Sequence, residues 1–256
     1  MQKALRVLAP LAALTAGAAA PLAFAAGPAT ADSGSSYQAT LNPLNHQSGS
    51  GMLMLTLNGD TATVSESWSG LAGQFNGAPY PHVQHIHIGA AGVCPGPSAD
   101  KNGDGVISTT EGGPSYGAIG TTLSTSGDTS PAAGTNIKIA PAGPSTDYHR
   151  TIQLDPKVVA SIQNDTAVIV VHGDDPTTLS AKAQKEKSDL VKSLPLAATS
   201  PALCGALHAM PAGGVNTGYG STGGMEDSGL LTLAGALFVA GAGTAIYAVR
   251  RRSVKA

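Results

Sequence analysis

The stretch from Met52 to Trp68, MLMLTLNGDTATVSESW, permits few folds. Leu53, Leu55 and Leu57 recur at every second position, so they fall on one face of a strand. Asn58-Gly59 supplies the φ > 0 turn of a tight hairpin, and Ala62, Val64 and Trp68 line one face on the return. A hairpin with one apolar face is not stable alone and demands further strands to cover it. Two more segments supply them. In HVQHIHIG, His82 to Gly89, Ile86 and Ile88 share a face with Gln84, while Val83, His85 and His87 take the other. TAVIVVHG, Thr166 to Gly173, is a β-branched apolar run of the kind found in buried central strands. TIQL, Thr151 to Leu154, reads as a shorter strand.

Composition agrees with many short strands and turns. The 256 residues hold 33 glycines and 17 prolines, with 12% charged and 4% aromatic residues. One helix is expected, over Leu179–Leu194, with Ser180 as N-cap and Pro195 as the stop. The body is therefore all-β, an antiparallel Greek-key β-sandwich or barrel, within residues 32–208 as a single domain. Fourteen Lys+Arg against 16 Asp+Glu, a formal charge of -2, leaves no basic footprint for nucleic acid.

Both ends read as targeting segments. Residues 1–31 carry Lys3 and Arg6, an apolar run, and small-residue cleavage patterns at Ala23-Phe24-Ala25 and Ala29-Thr30-Ala31, the organisation of a secretory signal peptide. Residues 229–249 are uncharged and long enough for a transmembrane helix. Arg250, Arg251, Arg252 and Lys255 follow, which places the 250–256 tail in the cytoplasm and the body outside the cell. Between them, residues 209–228 form a Gly-rich flexible stalk. Stalk, span and basic tail resemble a bacterial cell-wall sorting signal, although the LPxTG motif is absent. The expectation is an exported protein at the cell membrane and cell surface. Export makes a Cys94–Cys204 disulfide the default, the alternative being two free thiols.

Two readings point to metals. His85 and His87, two apart on a strand, project side by side. His172, at the end of the AVIVVH run, is a third candidate, whereas His82 falls on the opposite face. Two neutral imidazoles on one face of a rigid sheet make half of a metal site of the kind copper and zinc accept. Separately, DKNGDGVISTTE, Asp100 to Glu111, fits the twelve-residue EF-hand-type calcium loop. Asp100, Asn102 and Asp104 stand at positions 1, 3 and 5, and Gly105 at the sharp turn. Val106 offers its carbonyl, Ser108 a water-mediated contact and Glu111 a bidentate carboxylate. The flanks CPGPSA and GGPSYG are expected not to be helical, giving an isolated calcium loop.

The sequence resembles the copper/zinc superoxide dismutase family in three pieces taken in order: HIHIGAAGVC, VIVVHGDDP and SPALCGAL. This implies a superoxide dismutase-like fold, copper ligation by His85, His87 and His172, and pairing of Cys94 with Cys204. The family's bridging histidine after the first cysteine is replaced by GPSADKN. Its zinc ligands are missing, and its arginine before the last cysteine is replaced by SPAL. Residues 37–93 also resemble the chordin-type (CHRD) domain through LNGDTATVSESWSGLAG and HVQHIHIGAAG, which implies extracellular binding. The expected function is a membrane-anchored metal-binding β-domain at the cell surface. Calcium serves structure there and copper is the candidate at the histidines. The alternative is a copper-only superoxide dismutase-like enzyme. No particular protein partner is indicated.

Overall fold

The computed structural model describes residues 34–211. The expected signal peptide, nearly all of the expected stalk, the expected 229–249 span and the basic tail lie outside the described residues. Among the described residues no helix is long and apolar enough to cross a membrane.

Strands β1 (Ser35–Pro43), β2 (Ser50–Asn58) and β3 (Thr61–Ser69) form a meander. The β2–β3 hairpin closes with Asn58 opposite Thr61 and Gly59 at φ +58°, the turn that Asn-Gly selects. A small hairpin, β4 (Gln74–Phe75) and β5 (Ala78–Pro79), precedes β6 (Gln84–Ile88). Helix α1 (Thr109–Tyr116), β7 (Ala118–Thr122), β8 (Ser145–Gln153), α2 (Pro156–Gln163), β9 (Val168–His172), β10 (Pro201–Ala206) and β11 (His208–Ala209) follow. The main sheet runs β7-β6-β9-β10-β1-β2-β3-β8, with β11 on β1, and its pairings are antiparallel.

β1 changes partners along its length. Ser35–Leu41 pairs with β2, while Asn42 and Pro43 pair with Cys204 and Leu203 of β10. A strand shared in this way lets one sheet double back over its own core. Leu53, Leu55, Val64 and Trp68 from one half pack in the same cluster as Ile86, Ile169, Val171 and Leu203 from the other. Trp68 Nε1 donates to Gln84 Oε1 across that core at 3.0 Å. The free edges are tied by a side chain. Arg150 of β8 donates to the Ser124 carbonyl and hydroxyl and to the Gly127 carbonyl, in the loop after β7.

Three expectations need correction. Leu179–Leu194 is not a helix; only Ala183–Lys185 makes a 3₁₀ turn. Ser180 does receive the Ala183 N–H, as a cap would. Beyond it, the buried Ser188 hydroxyl takes the N–H groups of Leu190 and Val191, and the Ser188 N–H goes to Leu194. Serine side chains thus satisfy backbone groups that a helix would have used. Second, GGPSYG does contribute to a helix, α1, in spite of Pro114. A capping box of Ser108 and Glu111 starts it, and the Tyr116 hydroxyl, donating to the Thr109 carbonyl, ties down its end. Third, α2 went unforeseen, although Asp155-Pro156 is a cap followed by proline at the first helical position, with Val158, Val159 and Ile162 buried. β8 is also longer than TIQL, reaching back to Ser145.

The disulfide Cys94–Cys204 is formed, across 110 residues of chain. It joins the loop after β6 to β10 beside Tyr116, Val168 and Val170. Glu66 is buried in an unusual way: it is 1% exposed and neither carboxylate oxygen has a hydrogen-bond partner. Burial pushes its carboxyl up to about 8.

Two outcomes are expected. A carboxyl raised in the folded state binds its proton more tightly than in the unfolded chain, so its contribution to stability is intact below the ordinary value of 4.5 and is lost as pH rises through about 8. Glu66→Gln should therefore gain a few kcal/mol over wild type at pH 8 and nothing near pH 4.5, read by denaturant unfolding at both pH values. Replacing Cys94 and Cys204 together by serine should cost roughly 4–5 kcal/mol in the same assay.

Candidate metal centre

β6 lies between β7 and β9. His85 pairs with Val170 and His87 with Val168. Ile86 and Ile169 face the main core, so His85, His87, Val168, Val170 and His172 stand on the other face of this half-sheet. The three histidines are 2%, 2% and 4% exposed, which means that loops cover that face.

Each imidazole is fixed by one backbone carbonyl from a different covering segment. His85 Nε2 bonds the Gly134 carbonyl at 3.0 Å, His87 Nδ1 the Gly117 carbonyl at 2.9 Å, and His172 Nδ1 the Thr199 carbonyl at 2.7 Å. A carbonyl only accepts, so each of these nitrogens carries the proton and the opposite nitrogen is left with a lone pair. Those opposite atoms, His85 Nδ1, His87 Nε2 and His172 Nε2, are buried and have no hydrogen-bond partner. One nitrogen from each ring lies within 4.8 Å of the other two, and the ring centroids are 5.2, 5.5 and 5.8 Å apart. Two nitrogens on one metal at about 2.0–2.1 Å sit no more than about 4 Å apart, so small ring rotations close the set. A carbonyl behind each ring is the usual outer partner of a metal-bound imidazole.

Burial, reinforced by the neighbouring imidazoles, holds His85 well below its ordinary value. It brings His87 down to about 3, and burial alone brings His172 to about 4. The donors are neutral at physiological pH, as metal ligation requires. Tyr116 packs edge-on against His87 at 4.7 Å between centroids. Gly117, at φ +91°, brings its carbonyl to His87; a Cβ there would collide with the Ile88 carbonyl. His82 serves elsewhere. Its two nitrogens face the His172 and Ala72 carbonyls, and its ring packs against Trp68 and Tyr80. A cavity of about 290 Å³ opens over the triad.

The Asp100–Glu111 segment closes on itself. Asp100 accepts from the Gly103 and Gly105 N–H groups, Asn102 Oδ1 from Asp104, and Asp104 Oδ1 from Val106. Glu111 accepts from Lys101, Asn102 and Ser108, and thereby caps α1. Among the described residues, no other group of three His, Cys, Asp or Glu side chains converges as the histidines do, Asp100, Asp104 and Glu111 included.

Reasoning from sequence named the three rings but not the carbonyls of Gly117, Gly134 and Thr199 that aim them. Backbone acceptors leave no residue-type signature; only the glycines hinted at close approach.

Comparisons with known proteins add a likeness of shape. No family model matches the chain, and no curated protein does. The copper(II) form of Candida albicans superoxide dismutase 5 aligns at 16% identity and a TM-score of 0.38, over 73% of this chain and 99% of that one. Two single-substitution mutants of the same Candida protein align over the same shares at 16% identity, with TM-scores of 0.37 and 0.38. None of the site chemistry rests on these alignments.

The ring protonation is directly testable. Long-range ¹H–¹⁵N spectra of the metal-free protein should show the Nε2–H tautomer at His85 and the Nδ1–H tautomer at His87 and His172. All three should remain neutral at pH 5, where an ordinary histidine is charged. A lowered histidine value makes stability full above about 6.5 and lost as pH falls towards about 4 and 3. Cationic rings at pH 5 would contradict this geometry.

Proposed function

We propose that residues 32–208 form an exported metal-binding domain whose centre is a copper ion held by His85, His87 and His172. The observation that carries this reading is the set of three buried, unpartnered and converging imidazole nitrogens. Leaving three polar atoms buried without partners costs free energy unless something fills the gap between them. A cation that accepts nitrogen donors does so, and a neutral three-nitrogen set with an open side suits copper over the hard, oxygen-seeking ions. Copper there would supply a one-electron couple. The chain's part is to hold three neutral donors in place, keep their outer nitrogens on carbonyls, and limit the water around them.

On this reading the domain binds rather than turns over rapidly. No Arg or Lys lines the cavity over the triad, so no cation waits there for an anion such as superoxide. The formed disulfide suits an oxidising, extracytoplasmic compartment. The further proposal is anchoring by the 229–249 span, with the domain outside and the 250–256 tail inside. The CHRD-like reading places such a β-domain outside the cell. At the Asp100–Glu111 loop we propose a weak structural calcium site, in which Glu111 would turn from capping α1 to ligation.

The full chain, purified without added metal, should take up about one equivalent of copper(II) with a nitrogen-rich EPR signature. His87→Ala and His172→Ala should each abolish this uptake while leaving the fold intact by circular dichroism. Copper bound equally by both variants would end the proposal. Calcium uptake should fall in Glu111→Gln and Asp100→Asn while the copper stoichiometry stays at about one equivalent.

A further inference from the structure

We propose that Arg150 is a two-position latch on the candidate metal centre: docked, it holds the loop after β7 that carries Gly134, and turned inward, it pairs with the buried Glu66 and releases that loop. The inference deepens the copper reading by naming a control on its site. It rests on that reading only for the copper measurement below.

Strand alternation sets the geometry. Val64, Glu66 and Trp68 share the inward face of β3, and Tyr148, Arg150 and Ile152 that of β8. Glu66 stands opposite Tyr148, and Val64 opposite Arg150. Arg150 is therefore the diagonal neighbour of Glu66, roughly 7–8 Å along the sheet and within reach of a long side chain. On its other side Glu66 meets Leu53 of β2. His82 packs on Trp68, but both its nitrogens face carbonyls. Three oxygens are left buried without partners: both of Glu66 and the Tyr148 hydroxyl. Burial raises Tyr148 to about 12, with Arg150 pulling it down and Glu66 pushing it up, so both groups act on the same hydroxyl.

The guanidinium is engaged elsewhere, on the Ser124 carbonyl and hydroxyl and the Gly127 carbonyl. That loop leads to the metal centre. The Ser124 hydroxyl donates to the Asp128 carbonyl, and the Asp128 carboxylate accepts from the Ser130 N–H and hydroxyl. The turn Pro131–Ala133 then ends at Gly134, whose carbonyl holds His85 Nε2. Thr122 fastens Thr129 and Ser130 to β7, whereas Arg150 ties the loop to β8. A protonated Glu66 needs no cation, so Arg150 stays docked. An ionised carboxylate buried without a partner costs far more than a few hydrogen bonds, and a guanidinium within reach pairs with it in a charge-assisted contact. Burial sets the Glu66 value at about 8, so the latch is docked below that pH and turned inward above it.

The test follows the metal-free full chain by ¹⁵N spectroscopy from pH 6 to 9.5. The Arg150 guanidinium, the Ser124 and Gly127 amides and His85 Nε2 should move together in one transition near pH 8, while the Ile169 and Val171 amides stay in place. Glu66→Gln should abolish the transition and keep the docked signals throughout. Arg150→Met should show the released His85 signal already at pH 6, and Arg150→Lys should restore part of the docked one. Loss of an outer partner typically weakens metal binding 10–100-fold. Copper affinity at pH 9 should therefore be about tenfold lower in wild type than in Glu66→Gln, and equal in the two at pH 6.5. A transition that persists in Glu66→Gln, one that leaves Arg150 or His85 unmoved, one that also displaces Ile169, or none up to pH 9.5 overturns the latch. Copper uptake without the transition would sink the latch and leave the metal centre standing. The transition at His85 without copper uptake at any pH would sink the metal centre and leave the latch.

Discussion

The antiparallel pairing of β6 with β9 is the constraint from which the rest follows. His85 opposite Val170, and His87 opposite Val168, sends Ile86 and Ile169 into the main core and every second residue out. A slip of one residue would exchange the two faces, putting imidazoles among leucines and isoleucines against the loops. The apolar face therefore holds the polar one in register. His172 joins the pair because β9 ends there, after a run whose alternate members Ile169 and Val171 are already committed to the core.

Three imidazoles packed together are tolerable only while neutral. Each protonation would bury a cation beside two others, which is why burial and mutual repulsion both hold His85 down. The carbonyls of Gly117, Gly134 and Thr199 pull weakly in the opposite direction, since they favour an N–H on each ring. Their larger effect is geometric: they choose the tautomer and so aim the free nitrogens. Glu66 is the contrasting case. It is as buried as the histidines, but its carboxylate oxygens have no hydrogen-bond partner, so burial favours the protonated form.

Much of this was legible in period-two patterns. The hairpin around Asn58-Gly59, the in-and-out reading of His82 to Ile88 and the central apolar strand all follow from which residues must be buried. The converging of His172 on His85 and His87 was available only through a family likeness, because strand order is not written in local pattern. What pattern missed was decided by side chains that capture backbone groups. Ser188 unmade a helix that Lys- and Ala-rich spacing favoured. Ser108 and Glu111 made one where glycine and proline spoke against it. The targeting segments and the anchor rest on composition and charge alone, and the described residues do not reach them.

The loops that aim the histidines are also bonded to one another. The Thr199 carbonyl receives both His172 Nδ1–H and the Thr109 hydroxyl, the latter from the first residue of α1. Asn45 holds Ile107 through its N–H and carbonyl, and reaches the Pro201 carbonyl with the same amide. Lys182 and Ser180 donate to the carbonyls of Asn102 and Asp104. The acidic loop, α1 and the segment before β10 therefore form one hydrogen-bonded cover over the triad, pinned at one end by the Cys94–Cys204 link. In such a cover the two proposed sites are not independent. A cation that tightens Asp100–Glu111 also restrains Thr109, and through it the carbonyl that orients His172. Linkage requires the reverse as well: filling the histidine site tightens the acidic loop by the same coupling free energy.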